Sequence, residues 1–394
     1  MGMLKFKATQ LFDGYRFVDN KVLITQADGT IESIVDAHEA GESVQQLNGI
    51  LLPGLINCHC HLELSHLKDV IAPHTGLIEF LCSVVTKRDF PIELIQEKIA
   101  LAEQEMYANG IAGVGDIGNT AHTAAVKAGS RICWHNFVEV LSFTDDKALE
   151  NIAHYQSQLE LLSKALVGST LPHRSSLVPH APYSISPATF RMLNEATQDQ
   201  VISIHSQEHP AENELYMNGG GDYLRLFNIF GITHSPFPVT RQSSLRSVLP
   251  YFDRGQTILL VHNTCTTQEE MEWAAHYAAQ KGLRLQYCLC INANLYIENK
   301  VPPAPLLYQS GASVVIGTDS YSSNWQLSVA SEIKSLRQHF PAIPLETILH
   351  WATLQGARAL QWDDRLGSFE KGKKPGLTLL DIETGTSKRV DIRY

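Results

Sequence analysis

The stretch LLPGLINCHCHLELSHLK, residues 51–68, is an apolar run that ends in two histidines separated by one residue. Side chains alternate between the two faces of a β-strand, so residues i and i+2 point the same way. His59 and His61 can therefore share one metal ion, while Cys58 and Cys60 face the other side. This parity argues against a zinc finger, although four consecutive potential ligands are present.

Further potential ligands stand where other apolar runs end. The runs VISIHSQE, LLVHNT and SVVIGTDS present His205, His262 and Asp319. Barrel enzymes place their active sites at the C-terminal ends of parallel strands. These three side chains are therefore predicted to converge near the ion that His59 and His61 hold.

Glu208 follows His205 by three residues, where the strand gives way to a loop. This position suits a proton shuttle above the ion better than a ligand. Imidazoles and a carboxylate suit zinc or iron, and a divalent ion lowers the pKa of bound water towards neutrality. The pattern predicts a metal-dependent hydrolase.

The fold class follows from short apolar runs that alternate with longer amphipathic stretches, which is typical of βα units and a parallel sheet. The candidate strands are Leu52 to Cys58, Ile111 to Ile117, Ile132 to Val140, Ser176 to His180, Val201 to His205, Thr257 to His262, Leu283 to Cys290 and Ser313 to Asp319. The clearest candidate helices are Glu93 to Ala108, Asp146 to Leu166, Gln268 to Gln280 and Gln326 to His339. Eight such units predict an α/β fold of the (β/α)8 TIM-barrel type.

Both ends of the chain have a different pattern, with short β-like runs between turn signals. The runs are Lys21 to Thr25, Ile31 to Val35, Ile50 to Leu52 and, near the other end, Leu377 to Asp381. We predict that residues 1–52 and 352–394 form a small flanking β-sandwich-like domain, and that residues 53–351 form the barrel. Residues 209–254 are long for a connection between strands and are predicted to supply a lid or a specificity wall.

The formal net charge of −10 disfavours nucleic acid and anionic membranes as partners. No stretch of about 18 apolar residues suggests a membrane span, so a cytoplasmic protein is expected. The seven cysteines are an odd number spread through a long chain and are expected to be reduced thiols.

The chain resembles the amidohydrolase superfamily, and within it the mononuclear aminohydrolases that deaminate purine-like heterocycles. The resemblance rests on PGLINCHCHLELS, VPHAPYSISP, HSQE, LLVHNT, GTDSYSSN and the terminal GSFEKGKKPGLTLLD. Binuclear members carry a bridging lysine at the end of strand four, where this chain has Val178-Pro179-His180, so one ion is expected. Strand seven departs from the usual pattern, because Cys290 is followed by Ile291 instead of proline.

The resemblance implies a role for each of these positions. The implied metal ligands are His59, His61, His205 and Asp319, and the implied catalytic residues are Glu208, His262 and Asp319, around one zinc or iron ion. His180 matches a substrate-contacting position of the thioadenosine, adenosylhomocysteine and aminodeoxyfutalosine deaminases. Tyr183, Glu214 and Trp325 are further candidate substrate contacts. The implied substrate is a small heterocycle, with a purine-type nucleoside favoured, and a homodimer is one assembly that suits such a barrel.

A rival motif is Gly113-Val114-Gly115-Asp116-Ile117-Gly118, which matches the dinucleotide fingerprint G-x-G-x-x-G, with Glu139 at a suitable distance. No clear apolar strand precedes it, so the segment is better interpreted as barrel strand two. Gly219-Gly220-Gly221 lacks the Lys-Ser/Thr of a phosphate-binding loop. Two other functions stay open: hydrolysis of a cyclic amide or substituted triazine at the same site, and a non-catalytic barrel that binds a small molecule.

Overall fold

A computed structural model describes residues 2–392 of the 394-residue chain. Its strands are β1 (Met3–Phe12), β2 (Phe17–Val18), β3 (Lys21–Gln26), β4 (Ile31–Asp36), β5 (Val44–Pro53), β6 (Leu55–Cys60), β7 (Ile111–Gly118), β8 (Cys133–Val140), β9 (Arg174–Pro179), β10 (Val201–Ser206), β11 (Thr257–His262), β12 (Arg284–Leu289), β13 (Val314–Ile316), β14 (Leu377–Asp381) and β15 (Thr386–Arg389). The apolar runs predicted as strands all contain strand residues, so the mixed α/β class with parallel sheets is confirmed.

The helices connect the parallel strands. They are α1 (Leu77–Lys87), α2 (Ile92–Ala108), α3 (Ala124–Gly129), α4 (Ala148–Ala165), α5 (Pro187–Ala196), α6 (Pro210–Asn218), α7 (Tyr223–Ile229), α8 (Ser244–Val248), α9 (Gln268–Lys281), α10 (Ile291–Glu298), α11 (Ala304–Gln309), α12 (Val329–His339), α13 (Leu345–His350) and α14 (Gly356–Ala359). Helix α12 begins later than predicted because the Ser328 side chain caps it and accepts a hydrogen bond from the Ser331 backbone N–H. Among residues 2–392, no helix combines the length and apolarity that a membrane crossing requires.

Eight parallel strands form two four-stranded sheets, in the orders β6-β7-β8-β9 and β10-β11-β12-β13. The two sheets touch at both edges. At one edge a parallel bridge joins Cys60 to Asp319, and at the other the His205 backbone N–H donates to the carbonyl oxygen of His180 at 2.9 Å. All eight C-terminal strand ends therefore lie on one side of the assembly, where the predicted ligands stand.

The strands from the two chain ends pair in one seven-stranded sheet, in the order β15-β14-β5-β1-β3-β4 with β2 on β1. Phe6, Leu23 and Leu51 are buried in a small core of its own. Strand β5 runs almost directly into β6, with only Gly54 between them. A Cβ atom at Gly54 would lie 2.4 Å from the carbonyl oxygen of Pro375, so only glycine fits this junction.

The segment of residues 351–366 packs with the parallel strands. Trp351, Leu360 and Trp362 are buried in the large core that also contains the β6 residue Ile56. The sequence assigned this segment to the β-domain from residue 352 onwards. In the structure these side chains pack with the parallel strands, and the chain rejoins the seven-stranded sheet at β14.

The glycine-rich rival motif lies entirely within β7, where it forms no phosphate-binding loop. Its glycines allow close packing of neighbouring strands. A Cβ atom at Gly115 would lie 2.5 Å from the carbonyl oxygen of Cys58 in β6 and 2.8 Å from the Phe137 ring in β8. Small side chains at these positions are therefore a packing requirement of the sheet.

We expect Gly115→Ala to destabilise the protein by roughly 1–3 kcal/mol, because the added methyl group overpacks the strand interface. Gly129→Ala is the matched control, since no atom lies within 4 Å of a Cβ placed there. Urea unfolding of the two variants measures the difference. Equal midpoints for both variants would contradict the packing explanation.

Candidate metal centre

Four side chains from three strand ends converge at the centre of the C-terminal side. The Nε2 atoms of His59 and His61 lie 3.2 Å apart, and Asp319 Oδ1 lies 3.6 Å from the first and 3.3 Å from the second. The ring nitrogens of His59, His61 and His205 all lie within 4.8 Å of one another. All four side chains are buried, so the structure brings together the ligand set that the resemblance implied.

The backbone at the strand ends aims these side chains. Asp319 has φ of +60°, and its N–H donates to the carbonyl oxygen of His59 at 3.0 Å. The Ser323 hydroxyl donates to Asp319 Oδ2 at 2.6 Å, which leaves Oδ1 towards the histidines. His262 also adopts positive φ, at +75°. Left-handed backbone at non-glycine residues is uncommon and is concentrated at functional sites.

The donor set fits a divalent cation. Burial lowers the pKa of His205 well below its usual value, so its imidazole is neutral at pH 7. Its Nε2 atom is buried and has no hydrogen-bond partner among the described residues 2–392. Burial alone would raise the pKa of Asp319, but the hydrogen bond from His59 and the nearby His61 and His262 imidazoles hold it well below its usual range. Neutral imidazoles beside an ionised carboxylate are the ligands that zinc prefers.

Glu208 and His262 lie beside this cluster. Glu208 Oε1 is 3.6 Å from His262 Nε2, and Glu208 Oε2 is 4.0 Å from His205 Nδ1. Burial raises the pKa of Glu208 well above its usual value, and the charge of Asp319 acts in the same direction. Burial lowers the pKa of His262 to about 3. The arrangement pairs a carboxyl that readily takes a proton with a neutral imidazole.

The predicted substrate contact His180 is paired with Glu139, a residue that the sequence analysis considered only as part of the dinucleotide-binding motif. His180 Nδ1 lies 2.6 Å from Glu139 Oε1, and Asn119 Nδ2 donates to Glu139 Oε2 at 3.2 Å. Although burial opposes ionisation, the charge of His180 and its hydrogen bond lower the pKa of Glu139 to about 2. Glu139 stands near the end of β8, and that strand-end position was the signal that could have identified it.

A cavity with a volume of about 120 Å³ lies above the cluster. His180 and Tyr183 line it, as predicted, whereas Glu214 and Trp325 do not. Both side chains are exposed, and Trp325 packs against Tyr296 at 5.1 Å between ring centroids. The structure therefore does not bring these two predicted contacts to the cavity.

One wall of the cavity is apolar. Helix α1 contributes Leu77, Phe80 and Val84, and the α7 region contributes Leu226 and Phe230. Helix α7 lies within the long connection of residues 209–254, so the segment that was predicted to form a wall does supply cavity residues. The contribution of α1 was not predicted. Other polar lining groups include Arg88 and Ser320. A ligand here would meet polar groups towards the metal cluster and hydrocarbon along this wall.

Comparison with known proteins agrees with this geometry. The model of the Amidohydrolase family matches residues 50–392. A 5-methylthioadenosine/S-adenosylhomocysteine deaminase of Teredinibacter turnerae is 25% identical over 390 residues, covering 93% of this chain and 80% of the relative. The crystal structure of Helicobacter pylori aminofutalosine deaminase in complex with methylthio-coformycin has a TM-score of 0.80 at 22% identity, covering 98% of this chain and 100% of that chain.

A second solved structure is an adenosine deaminase from Xanthomonas campestris with bound zinc. Its TM-score is 0.73 at 23% identity, and the match covers 96% of this chain and 84% of that chain. At these identities the solved structures establish a shared fold. The family match covers most of the chain and confirms the resemblance inferred from the strand-end motifs. The chain belongs to the amidohydrolase family.

Proposed function

We propose that this protein is a metal-dependent aminohydrolase that deaminates an aminated heterocycle of the purine-nucleoside type. The observation that carries the proposal is the convergence of His59, His61, His205 and Asp319, with Glu208 beside them. The names of the relatives support the same reaction, since they are deaminases of adenosine-like compounds.

The finer architecture belongs to the same proposal. We infer that the eight parallel strands close into one (β/α)8 barrel, because the two sheets touch at both edges. The seven-stranded sheet would then be the flanking β-domain predicted from residues 1–52 and 352–394. A cytoplasmic location and a homodimer stay predictions.

A single divalent ion, zinc in preference to iron, would be held by His59, His61, His205 and Asp319. When bound, such an ion lowers the pKa of water and supplies a nucleophile at neutral pH. The absence of a lysine at Val178-Pro179-His180 supports one ion over two. Burial lowers the pKa of His61 and of His205, and the pKa of Asp319 lies well below its usual range, which favours the deprotonated forms that metal binding requires.

The protein's own groups would move the protons. Water attacks the ring carbon that bears the amino group, and Glu208 accepts a proton from this water and delivers it to the adjacent ring nitrogen. His262 would stabilise the tetrahedral carbon's new oxygen, and the ionised Asp319 would accept the proton that this oxygen still carries. That second proton would pass to the amino group, which leaves as ammonia, and a carbonyl remains on the ring. The apolar wall of α1 and α7 keeps bulk water away from these steps.

The shape of the cavity bears on the substrate. Its volume of about 120 Å³ suits one heterocyclic ring system. A bulky 5′ substituent, as in aminodeoxyfutalosine or an adenosyl compound, would extend along the apolar wall towards Leu77 and Phe230. His180, which is hydrogen-bonded to Glu139, and Tyr183 line the cavity and would contact the nucleoside itself.

The direct test is ammonia release from purified protein across a panel of compounds. We expect turnover of aminodeoxyfutalosine, methylthioadenosine or adenosylhomocysteine, and much less turnover of free adenine, guanine or cytosine. Activity confined to lactams or chlorotriazines would overturn the deaminase proposal and favour the alternative hydrolase. No activity on any compound, in protein that contains metal, would favour the non-catalytic binding barrel.

Removal of the ion provides a separate prediction. Dialysis against a strong chelator should abolish ammonia release, because no side chain at the cluster can replace the ion in activating water. Adding back zinc should restore activity at about one equivalent per chain, which elemental analysis would measure. Restoration that requires two equivalents would contradict the single-ion site.

A further inference from the structure

A second cavity lies at the opposite end of the parallel strands from the metal cluster. It has a volume of about 320 Å³ and is lined by Ala112 and Cys133, which lie at the N-terminal ends of β7 and β8. Gly376 and Val390 line it from the side of the seven-stranded sheet. The cavity therefore lies where the two parts of the molecule meet, away from every residue assigned to catalysis.

Positive charge is in excess around this cavity. Arg131, Arg365, Lys374 and Arg389 line it, against two carboxylates, Asp28 and Asp391. Lys374 is paired with Asp28 at 3.2 Å. Within residues 2–392, none of the three arginines forms an ion pair. Guanidinium groups that share a cavity repel one another, and an anion bound between them would relieve this repulsion.

Two of the guanidinium nitrogens lack partners among residues 2–392. Arg365 Nε and Arg389 Nη1 are buried and have no hydrogen-bond partner within this range, whereas buried polar atoms are nearly always satisfied. Arg131 and Arg389 both pack on the ring of Tyr107, with their guanidinium carbons 4.0 Å and 4.1 Å from its centroid. Stacking occupies the faces of these groups and leaves their N–H edges available for acceptors. Burial lowers the pKa of Arg389, and the charge of Arg131 acts in the same direction.

We propose that this cavity binds the phosphate group of a small molecule. Guanidinium groups recognise phosphate through paired, charge-assisted hydrogen bonds. Three arginines offer more donors than the two oxygens of a carboxylate can accept, whereas a phosphate has more oxygens and up to two charges. The volume exceeds that of one phosphate, so the ligand is a diphosphate or a phosphate ester with a compact body.

The test uses the full-length protein with its metal and two probes, orthophosphate and pyrophosphate. Isothermal titration at constant ionic strength should give saturable binding, tighter for pyrophosphate. Arg131→Met should weaken this binding at least tenfold and, because Arg131 is exposed, should leave the fold intact. Arg337→Met, which removes an exposed arginine of α12, should leave it unchanged. Ammonia release should not differ between these two variants.

Chemical modification locates the bound anion. Phenylglyoxal labelling, read by mass spectrometry, should show that pyrophosphate protects Arg365 and Arg389. Protection confined to Arg88, which lines the metal cavity, would overturn the proposal, because the anion would then occupy the catalytic site. The proposal would also be overturned if titration with sodium chloride gave the same heat of binding as titration with pyrophosphate. Equal pyrophosphate affinity of Arg131→Met and Arg337→Met would overturn it as well.

Discussion

Glu208→Gln should retain the metal and lose most of the turnover, by about 10²–10⁴-fold, which is the usual contribution of a positioned acid or base. The glutamine has nearly the same shape, so the buried position beside His262 stays filled. It cannot accept the proton of the attacking water, and that step loses its base. Steady-state ammonia release and elemental analysis of the same preparation measure the two effects together.

Two further variants separate this role from alternatives. His61→Ala removes one of the nitrogens that face Asp319 and should lose both the metal and the activity. Glu272→Gln removes an exposed carboxyl on α9 and should change neither. Full activity of Glu208→Gln would show that another group moves the proton. Loss of metal from Glu208→Gln would instead make Glu208 a ligand.

Much of the parallel-strand body could be predicted because buried strands are continuous apolar runs. The predicted Thr257 to His262 matches β11, and Val201 to His205 differs from β10 by one residue. The prediction was less accurate where tertiary contacts decide. Strand β1 was not predicted, since its alternation of apolar and polar residues breaks where its register with β5 shifts, between Ala8 and Gln10.

The residues of the candidate site also fall into those that could be predicted from the sequence and those that depend on tertiary packing. The ligands at the ends of β6 and β10 could be predicted, because strand parity and the common position of strand ends require no knowledge of the packing. The strand-end position of Glu139 is visible in the sequence, but its partner His180 follows the neighbouring strand, and only the pairing of β8 with β9 brings the two side chains together. The apolar wall from Phe80 depends on where α1 packs, for which the sequence has no local signal.

Lys127→Met should lower the stability by about 3–5 kcal/mol, which is the typical cost of leaving one charge of a buried pair without its partner. Lys127 Nζ lies 2.5 Å from Asp116 Oδ2, and both side chains are almost fully buried. It also donates to Asn136 Oδ1 at 2.8 Å. Methionine fills most of the space but leaves Asp116 ionised in an apolar environment. The midpoint of urea unfolding measures the loss.

Lys127→Met should also weaken metal retention. Asp116 Oδ1 accepts a hydrogen bond from the Leu62 backbone N–H at 2.8 Å, and Leu62 directly follows the proposed ligand His61. The double variant Asp116→Asn/Lys127→Met removes both charges and keeps this acceptor. It should recover more than half of the lost stability and restore metal retention. Lys147→Met, which breaks an exposed pair with Glu150, should leave the unfolding midpoint unchanged. If the double variant were as unstable as Lys127→Met, lost packing and not the unpaired charge would be the cause.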